Sequence, residues 1–351
     1  MDDKLNKNNV LIDMLLQDYN NINSQIDFTE LNNKKIFITG ASGLVGVNLL
    51  ASLLYLKLQC GYNFHVIGIV NSEPEDWFKE LINMGNFGYI RGDLSNTDFV
   101  NRLNNYDYII HAATYGQPIK FMNNQIKTIK LNTSTTMELL NKLKDNGKFL
   151  FLSSSEIYSG LNKDFYNEND IGTTTPNHSR SCYIESKRCG EAICNVYDDN
   201  VKIVRLCLAY GMGIKLNDTR AMNNFILSGL NNNCIRLMDS GSAKRNYIYI
   251  VDAIMMMWNI LLHGKDKVYN VGGKSEISIF ELSQMIGSKL NIDVIRSDVD
   301  VGLSGSPDSV NLDMGRYENE FGKMGLVDLS DGVPNVIHWC ELLQNNKNAT
   351  K

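Results

Sequence analysis

Three groups of residues in this 351-residue chain have types and spacings suited to chemistry. The first is Gly40-Ala41-Ser42-Gly43-Leu44-Val45-Gly46. Glycine permits a tight turn and lets backbone approach a pyrophosphate, and a helix starting at Leu44 would aim its free N–H groups and positive dipole end at that anion. The pattern means dinucleotide binding when a strand precedes it and a helix follows. The second is Tyr183 and Lys187, four apart and so on one face of a helix. Using a tyrosine of pKa about 10 as a base at neutral pH needs a fall of roughly two or three units, about 3–4 kcal/mol. A neighbouring ammonium and the cationic ring of an oxidised nicotinamide would supply that field. The pair arises by composition about once in such a chain, so its company decides its meaning. The third is Ser153-Ser154-Ser155-Glu156, hydroxyls and a carboxylate at the end of an apolar run. Side chains two apart on extended backbone share a face, so Ser154 and Glu156 are expected to look at one substrate.

These groups need strands that end beside one another. Short apolar runs recur at residues 35–39, 65–70, 87–90, 108–111, 149–152 and 201–206, with helix-length segments between them. That alternation predicts an α/β fold, a Rossmann-type doubly wound parallel sheet, with ligands at the carboxyl ends of its strands. The second run ends Val70-Asn71-Ser72, without the acidic residue that usually holds an adenosine ribose and without an Arg for a 2′-phosphate. After the third run, Asp93 is either an acceptor for the adenine amino group or a turn residue. Residues 35–206 are expected to form the dinucleotide-binding domain, with 247–272 returning to it. Residues 207–246 and 273–351, where the rhythm loosens, would form a smaller C-terminal substrate-binding lobe. Residues 1–34 are a polar extension in which 10–16 read as an amphipathic helix, either packed on the domain's own surface or serving as a partner-binding arm.

Composition narrows the function classes. The net charge of −5 gives no electrostatic case for nucleic acid as a partner. No apolar stretch approaches the roughly 20 residues that cross a bilayer, and the acidic, Asn-rich N-terminus does not read as a signal peptide. Seven cysteines without a C-x-x-C pair suit reduced thiols in a cytoplasmic protein, and five scattered histidines predict no metal site.

Taken together, the glycine turn, Asp93, His111-Ala112-Ala113, Asn132, Ser154-Ser155-Glu156, Tyr183 with Lys187, and Arg245 ahead of Asp252 resemble an extended short-chain dehydrogenase/reductase of the NAD-dependent nucleotide-sugar epimerase/dehydratase family. The likeness runs from about residue 35 to at least 308. Within the family the chain is most similar to the UDP-glucuronate decarboxylases, through residues 118–132, Cys182-Tyr183-x-Glu185-x-Lys187-Arg188, Leu216-Asn217-Asp218-x-Arg220 and Asn270-Val271-Gly272. It departs from the pattern at Leu208 (usually Asn), Met212 (usually Pro) and Ser306-Pro307-Asp308 (Arg-Pro-Asp in the decarboxylases).

The resemblance implies a tightly bound NAD held by Gly40, Gly43, Leu44, Val45, Gly46, Asp93, Leu94, Ala112, Ala113, Thr114, Asn132 and Lys187. It implies Tyr183 as the base, Lys187 as its electrostatic partner, Ser154 at the sugar O4, and Ser155 and Glu156 facing C5 and C6. Arg220 and Arg245 become candidates for the substrate pyrophosphate, a role suited to a planar guanidinium fork, with a surface ion pair as the alternative. The reaction implied passes through a 4-keto sugar, with decarboxylation first and 4,6-dehydration, 4-epimerisation or net C4 oxidation as alternatives. The family also implies a homodimer. A non-catalytic dinucleotide-binding regulator is the alternative from another class.

Overall fold

Helix α1 (Asp2–Gln17) and the short α2 (Ile22–Gln25) precede the first strand. The structure, a computed structural model, describes residues 2–274, 276–296 and 310–348, so Ser306-Pro307-Asp308 lies outside the described residues. From β1 (Lys35–Thr39) the chain alternates: α3 (Leu44–Gln59), β2 (His65–Val70), α4 (Asp76–Gly85), β3 (Gly88–Arg91), α5 (Thr97–Asn101), β4 (Tyr106–His111), α6 (Pro118–Asn123), α7 (Gln125–Asn132), α8 (Ser134–Leu140), β5 (Leu143–Ser154), α9 (Ser181–Asn195) and β6 (Val201–Leu206). The remainder comprises β7 (Leu208–Tyr210), α10 (Ala221–Asn232), β8 (Cys234–Arg236), β9 (Lys244–Tyr249), α11 (Ile250–His263), β10 (Val268–Val271), β11 (Glu276–Ser278), α12 (Ile279–Leu290), β12 (Asp293–Ile295), α13 (Gly315–Phe321) and α14 (Leu329–Asn348).

Seven strands form one parallel sheet in the order β3-β2-β1-β4-β5-β6-β10. Helical crossovers cover both faces, which is why Ile36, Phe37 and Ile38 are all buried and the strands read as continuous apolar runs. The order reverses between β1 and β4, and a crevice opens there beyond the carboxyl ends of the strands. β10 returns to the sheet beside β6. β7, β9 and β11 form a second small sheet, and β8 pairs with β12.

Helix α3 is apolar nearly all round, so it needs cover on every side. α11 packs on it from the sheet side, and α1 and α4 supply the rest. Leu11, Ile12, Leu15, Tyr19, Ile22 and Phe28 are buried in that contact, so the extension packs on the domain itself and not outward as an arm. The Asn-rich composition also has a structural use. Among the described residues every non-glycine position of positive φ is an asparagine, and Asn86, Asn233 and Asn291 end α4, α10 and α12 in the left-handed conformation. Among the described residues no helix is long and apolar enough to cross a membrane, and no cluster of His, Cys, Asp and Glu could hold a metal ion.

Candidate active site

β1 delivers Gly40 at φ +67°, where a Cβ would lie 3.0 Å from the Ala113 Cα. A Cβ on Gly46 would meet the Gly40 carbonyl oxygen and, at 2.6 Å, the Ala41 Cα. The first turn of α3 therefore sits directly on the glycine turn. Its N-cap is Gly43, which offers no side-chain cap. The helix N-terminus thus faces the crevice with N–H groups available to an anion.

The crevice is a cavity of about 440 Å³ lined by Gly40, Gly43, Leu44, Val45 and Gly46 at one end and by Ser154, Ser155, Glu156 and Arg220 at the other. Asn71, Ser72, Asp93, Leu94, Ala112, Ala113, Thr114, Tyr183 and Lys187 also line it. The Thr114 hydroxyl is buried with no partner among the described protein atoms. The wall between β1 and β4 is tied by a chain of hydrogen bonds. Ala113 N–H donates to Thr39 Oγ1 at 3.1 Å, Thr39 Oγ1 lies 2.8 Å from His111 Nδ1, and His111 Nε2 lies 2.8 Å from the Leu131 carbonyl. Burial holds the His111 pKa down at about 4, so it serves here as a neutral strut.

Two of the candidate cofactor residues are engaged in contacts within the protein. Asn132 is fully buried and does not line the cavity, because its Nδ2 donates to Ser186 Oγ at 2.9 Å and so pins α7 to α9. Asp93 lines the cavity but ties off its own turn. Its Oδ1 accepts from Ser95 N–H and Oγ–H at 2.9 and 2.7 Å, and Lys127 reaches Oδ2 at 2.7 Å.

α9 brings Tyr183 and Lys187 to the cavity with both side chains buried. Tyr183 stacks on Phe121 with ring centroids 4.7 Å apart. Lys187 Nζ donates to the Leu152 carbonyl at 2.5 Å and lies 5.9 Å from the Tyr183 ring centroid. Burial drives the lysine down to about 7. Burial also pushes Tyr183 up to about 12, with the Glu156 charge adding to it and a hydrogen bond with Ser154 and the Arg180 and Arg220 charges opposing. The field of the protein alone therefore does not supply the fall expected from the Tyr/Lys spacing. Desolvation outweighs the hydrogen bond with Ser154 and the Arg180 and Arg220 charges.

β5 stays extended through Ser154, and a 3₁₀ turn begins at Ser155. Ser154 Oγ accepts from the Glu156 N–H at 3.2 Å and starts that turn. The two-residue period expected for an extended segment thus stops at Ser154, yet Ser154, Ser155 and Glu156 all line the cavity. The Glu156 carboxylate is held by both arms of Arg180, Nε donating to Oε2 at 3.0 Å and Nη2 to Oε1. Burial pushes the Glu156 pKa up, while Arg180, Arg245 and His178 pull it down. The Arg180 guanidinium lies 5.3 Å from the Phe121 ring centroid, so Phe121 is sandwiched between Arg180 and Tyr183. Arg180 and Phe121 were not among the sequence candidates. Arg180 stands three residues before Tyr183, just outside the Cys182–Arg188 match.

Arg220 lines the cavity and is also ion-paired, with Nε and Nη2 on Asp218 at 3.1 and 2.7 Å. Arg245, on β9, is not in the lining; its Nη1 donates to the Lys244 carbonyl at 2.6 Å, and its charge is felt at Glu156. Leu208, Asn217 and Gln117 also line the cavity, as does Lys215, whose Nζ donates to Ser42 Oγ of the glycine turn at 3.4 Å.

A model of the NAD dependent epimerase/dehydratase family matches residues 36–272. The chain is 29% identical over 265 residues to UDP-glucuronic acid decarboxylase 1 of Danio rerio, a match spanning 74% of this chain and 62% of that protein. It is 26% identical over 314 residues to UDP-glucuronic acid decarboxylase 6 of Arabidopsis thaliana, spanning 86% of this chain and 88% of that one. Among solved structures, UDP-glucuronic acid 4-epimerase from Bacillus cereus, in complex with UDP-glucuronic acid and NAD, superposes with a TM-score of 0.73 at 25% identity, covering 88% of this chain and 99% of that one. DesIV, a dTDP-glucose 4,6-dehydratase from Streptomyces venezuelae solved with NAD, shares the fold with a TM-score of 0.76 at 21% identity, covering 89% and 98%.

Proposed function

The chain belongs to the NAD dependent epimerase/dehydratase family, and from that premise we propose that it modifies a nucleotide sugar through a 4-keto intermediate, as a UDP-glucuronate decarboxylase. The observation that carries this is one cavity with the glycine turn at one end and Ser154, Tyr183, Lys187 and an arginine-held Glu156 at the other.

The site fits NAD. Gly40 and Gly46 have no room for a Cβ, the N-terminus of α3 has no side-chain cap, and the buried Thr114 hydroxyl lacks a protein partner in the cavity wall. Gly40, Gly43, Leu44, Val45 and Gly46 would hold its pyrophosphate. Asn71, Ser72, Asp93 and Leu94 would border the adenosine, and Ala112, Ala113, Thr114 and Lys187 the nicotinamide ribose. When bound, the cofactor supplies a hydride acceptor and donor and a cationic ring.

The chain's own residues then do the following. Ser154 holds the sugar O4, and Tyr183 takes the C4 hydroxyl proton as that carbon becomes a carbonyl. Lys187 would stabilise the resulting phenolate, and the cationic ring of the bound cofactor would add positive charge beside it. In a uronate the carboxylate at C5 is then β to the ketone. When CO₂ leaves, the C5–C6 electron pair delocalises onto O4, which Tyr183 can protonate; a proton from solvent delivered to C5 and return of the O4 proton to Tyr183 restore the ketone, whose reduction at C4, with Tyr183 reprotonating O4, completes the cycle. Before CO₂ leaves, the substrate carboxylate would lie beside Glu156, which lines the cavity and is held from behind by Arg180, and loss of neutral CO₂ relieves the repulsion between the two carboxylates. Arg220 would bind the substrate pyrophosphate, and Arg245 would add positive potential near the sugar.

The test is turnover of UDP-glucuronate against UDP-, dTDP-, CDP- and GDP-hexoses, following product mass and C4 configuration. Loss of CO₂ from UDP-glucuronate supports the proposal. Loss of water from a hexose would make the protein a dehydratase. C4 inversion alone, unaffected by Glu156→Gln, would make it an epimerase and leave Glu156 a structural residue.

A cytoplasmic setting suits seven cysteines that are all unpaired as thiols. A homodimer would cover Ile119, Ile126, Ile129 and Met137, which α6, α7 and α8 leave exposed. Light scattering should give twice the chain mass, and Ile126→Glu should shift it toward the monomer.

A further inference from the structure

The N-terminal extension takes no part in the chemistry above, yet it reaches the cavity wall through buried polar contacts. Tyr19 donates its hydroxyl to Asn48 Oδ1 on α3 at 3.0 Å, and both residues are buried. Asn48 Nδ2 donates to the carbonyls of Leu44 and Met212 at 2.9 and 2.8 Å. The two carbonyls only accept, so they turn the Asn48 amide nitrogen toward themselves, and the Tyr19 hydroxyl satisfies and steadies the buried Oδ1 at its other end.

Met212 opens the loop that carries Ile214, Lys215, Asn217, Asp218 and Arg220 into the cavity wall. Two residues further on, the Ile214 carbonyl accepts from Trp339 Nε1 at 2.9 Å. Trp339 meets Trp77 edge-on at 5.2 Å, and α1 packs on α4 and α14, the helices carrying these two rings. Between the two gripped carbonyls Gly213 has φ +92°, and a Cβ there would lie 3.0 Å from Asn48 Nδ2. A second tether runs from Tyr249 Oη–H to Asp18 Oδ2 at 2.6 Å. Tyr249 ends β9, which pairs with β7, and β7 places Leu208 and Ala209 in the cavity lining.

We propose that the N-terminal extension positions the substrate wall, Tyr19 acting through Asn48 to hold the Met212–Arg220 loop in its binding-competent form. The inference rests on the reading that this wall takes the nucleotide sugar. A loop ordered in advance spares the ligand the entropic cost of ordering it, so Tyr19 is a positioning residue that acts on affinity and not on the chemical step.

The test compares Tyr19→Phe with Tyr55→Phe in the full chain. Tyr55 donates to the Asn20 carbonyl at 2.9 Å, in the same interface but about two turns along α3 from Asn48. Hydrogen exchange over residues 211–217 is expected to quicken in Tyr19→Phe. The KM for the nucleotide sugar should rise about three- to tenfold, the size of one buried hydrogen bond. The kcat and the NAD(H) content should stay at wild-type values, and Tyr55→Phe should match the wild type in all four. Unchanged exchange over this loop, an unchanged KM in an active enzyme, or equal effects in Tyr55→Phe would overturn the inference. If the wild type turns over no nucleotide sugar, the functional reading fails, and the exchange comparison alone decides this one. Should Tyr19→Phe prove insoluble, Tyr249→Phe takes its place.

Discussion

Tyr183 and Lys187 are both shifted far from their ordinary titration ranges by the site that buries them. The tyrosine is pushed up to about 12 and the lysine down to about 7, both chiefly by burial. Tyr183→Phe keeps the ring on Phe121 and removes only the titrating hydroxyl, so kcat should fall by about 10²–10⁴ with substrate affinity kept. Near wild-type turnover would remove Tyr183 from the mechanism. For Lys187 the linkage has a definite sign. A folded-state pKa depressed from 10.5 to about 7 means the unfolded chain binds the extra proton between those values. Stability then rises with pH across that window, and the cost of burying the charge is complete below it. Cofactor-free Lys187→Met should therefore be more stable than the wild type below about pH 7, with the advantage fading as the pH rises toward 10.5. Thermal melts across that range check it; an advantage independent of pH would mean that the lysine is not the titrating group. Tyr183, Lys187 and Ser154 were drawn together by local spacings read beside a family resemblance, and all three line the same cavity. Arg180 was not drawn in, because its partner Glu156 is 24 residues away and meets it only when the loop before α9 folds back over the end of β5.

At the scale of elements, the glycine turn and the start of α3, which has no side-chain cap, are the proposed anion site. Gly46→Ala would drive a Cβ into the Gly40 carbonyl and the Ala41 Cα, so the turn and the helix cannot keep their contact. The wild type should carry NAD(H) through purification, and Gly46→Ala should lose it; chromatography of the denatured supernatant measures both. Equal NAD(H) in the two proteins would mean that the close approach is not needed for binding. The central strands β1, β4 and β6 were readable as elements because each is almost wholly buried and so spells an apolar run. The turn at Ser155 was not, since it depends on Ser154 Oγ capping the Glu156 N–H. Asn132 shows the same limit. Its residue type fits a cofactor contact, but packing of α7 against α9 turns its side chain to Ser186.

For the whole molecule, the parallel sheet and its reversal between β1 and β4 set where the cavity must lie, and that much follows from the strand–helix rhythm. The cavity's far wall does not follow from it. Residues 208–220 are held by Asn48 of α3 and Trp339 of α14, contacts across 164 and 125 residues of sequence that no local pattern announces. The extension's role as cover for α3 was readable only as one of two options, and the apolar circumference of α3 decides between them. This assembly is proposed to bring a uronate carboxylate beside the arginine-held Glu156 and to release it as CO₂ after C4 is oxidised. The direct measurement is to supply UDP-glucuronate labelled with ¹³C at C6 and follow the label. The account predicts that it appears as carbon dioxide, one for each UDP-pentose formed, and that Glu156→Gln slows this release while C4 oxidation still shows as NADH absorbance on the enzyme. Label retained wholly in a UDP-hexuronate product, or in unreacted substrate, would contradict it.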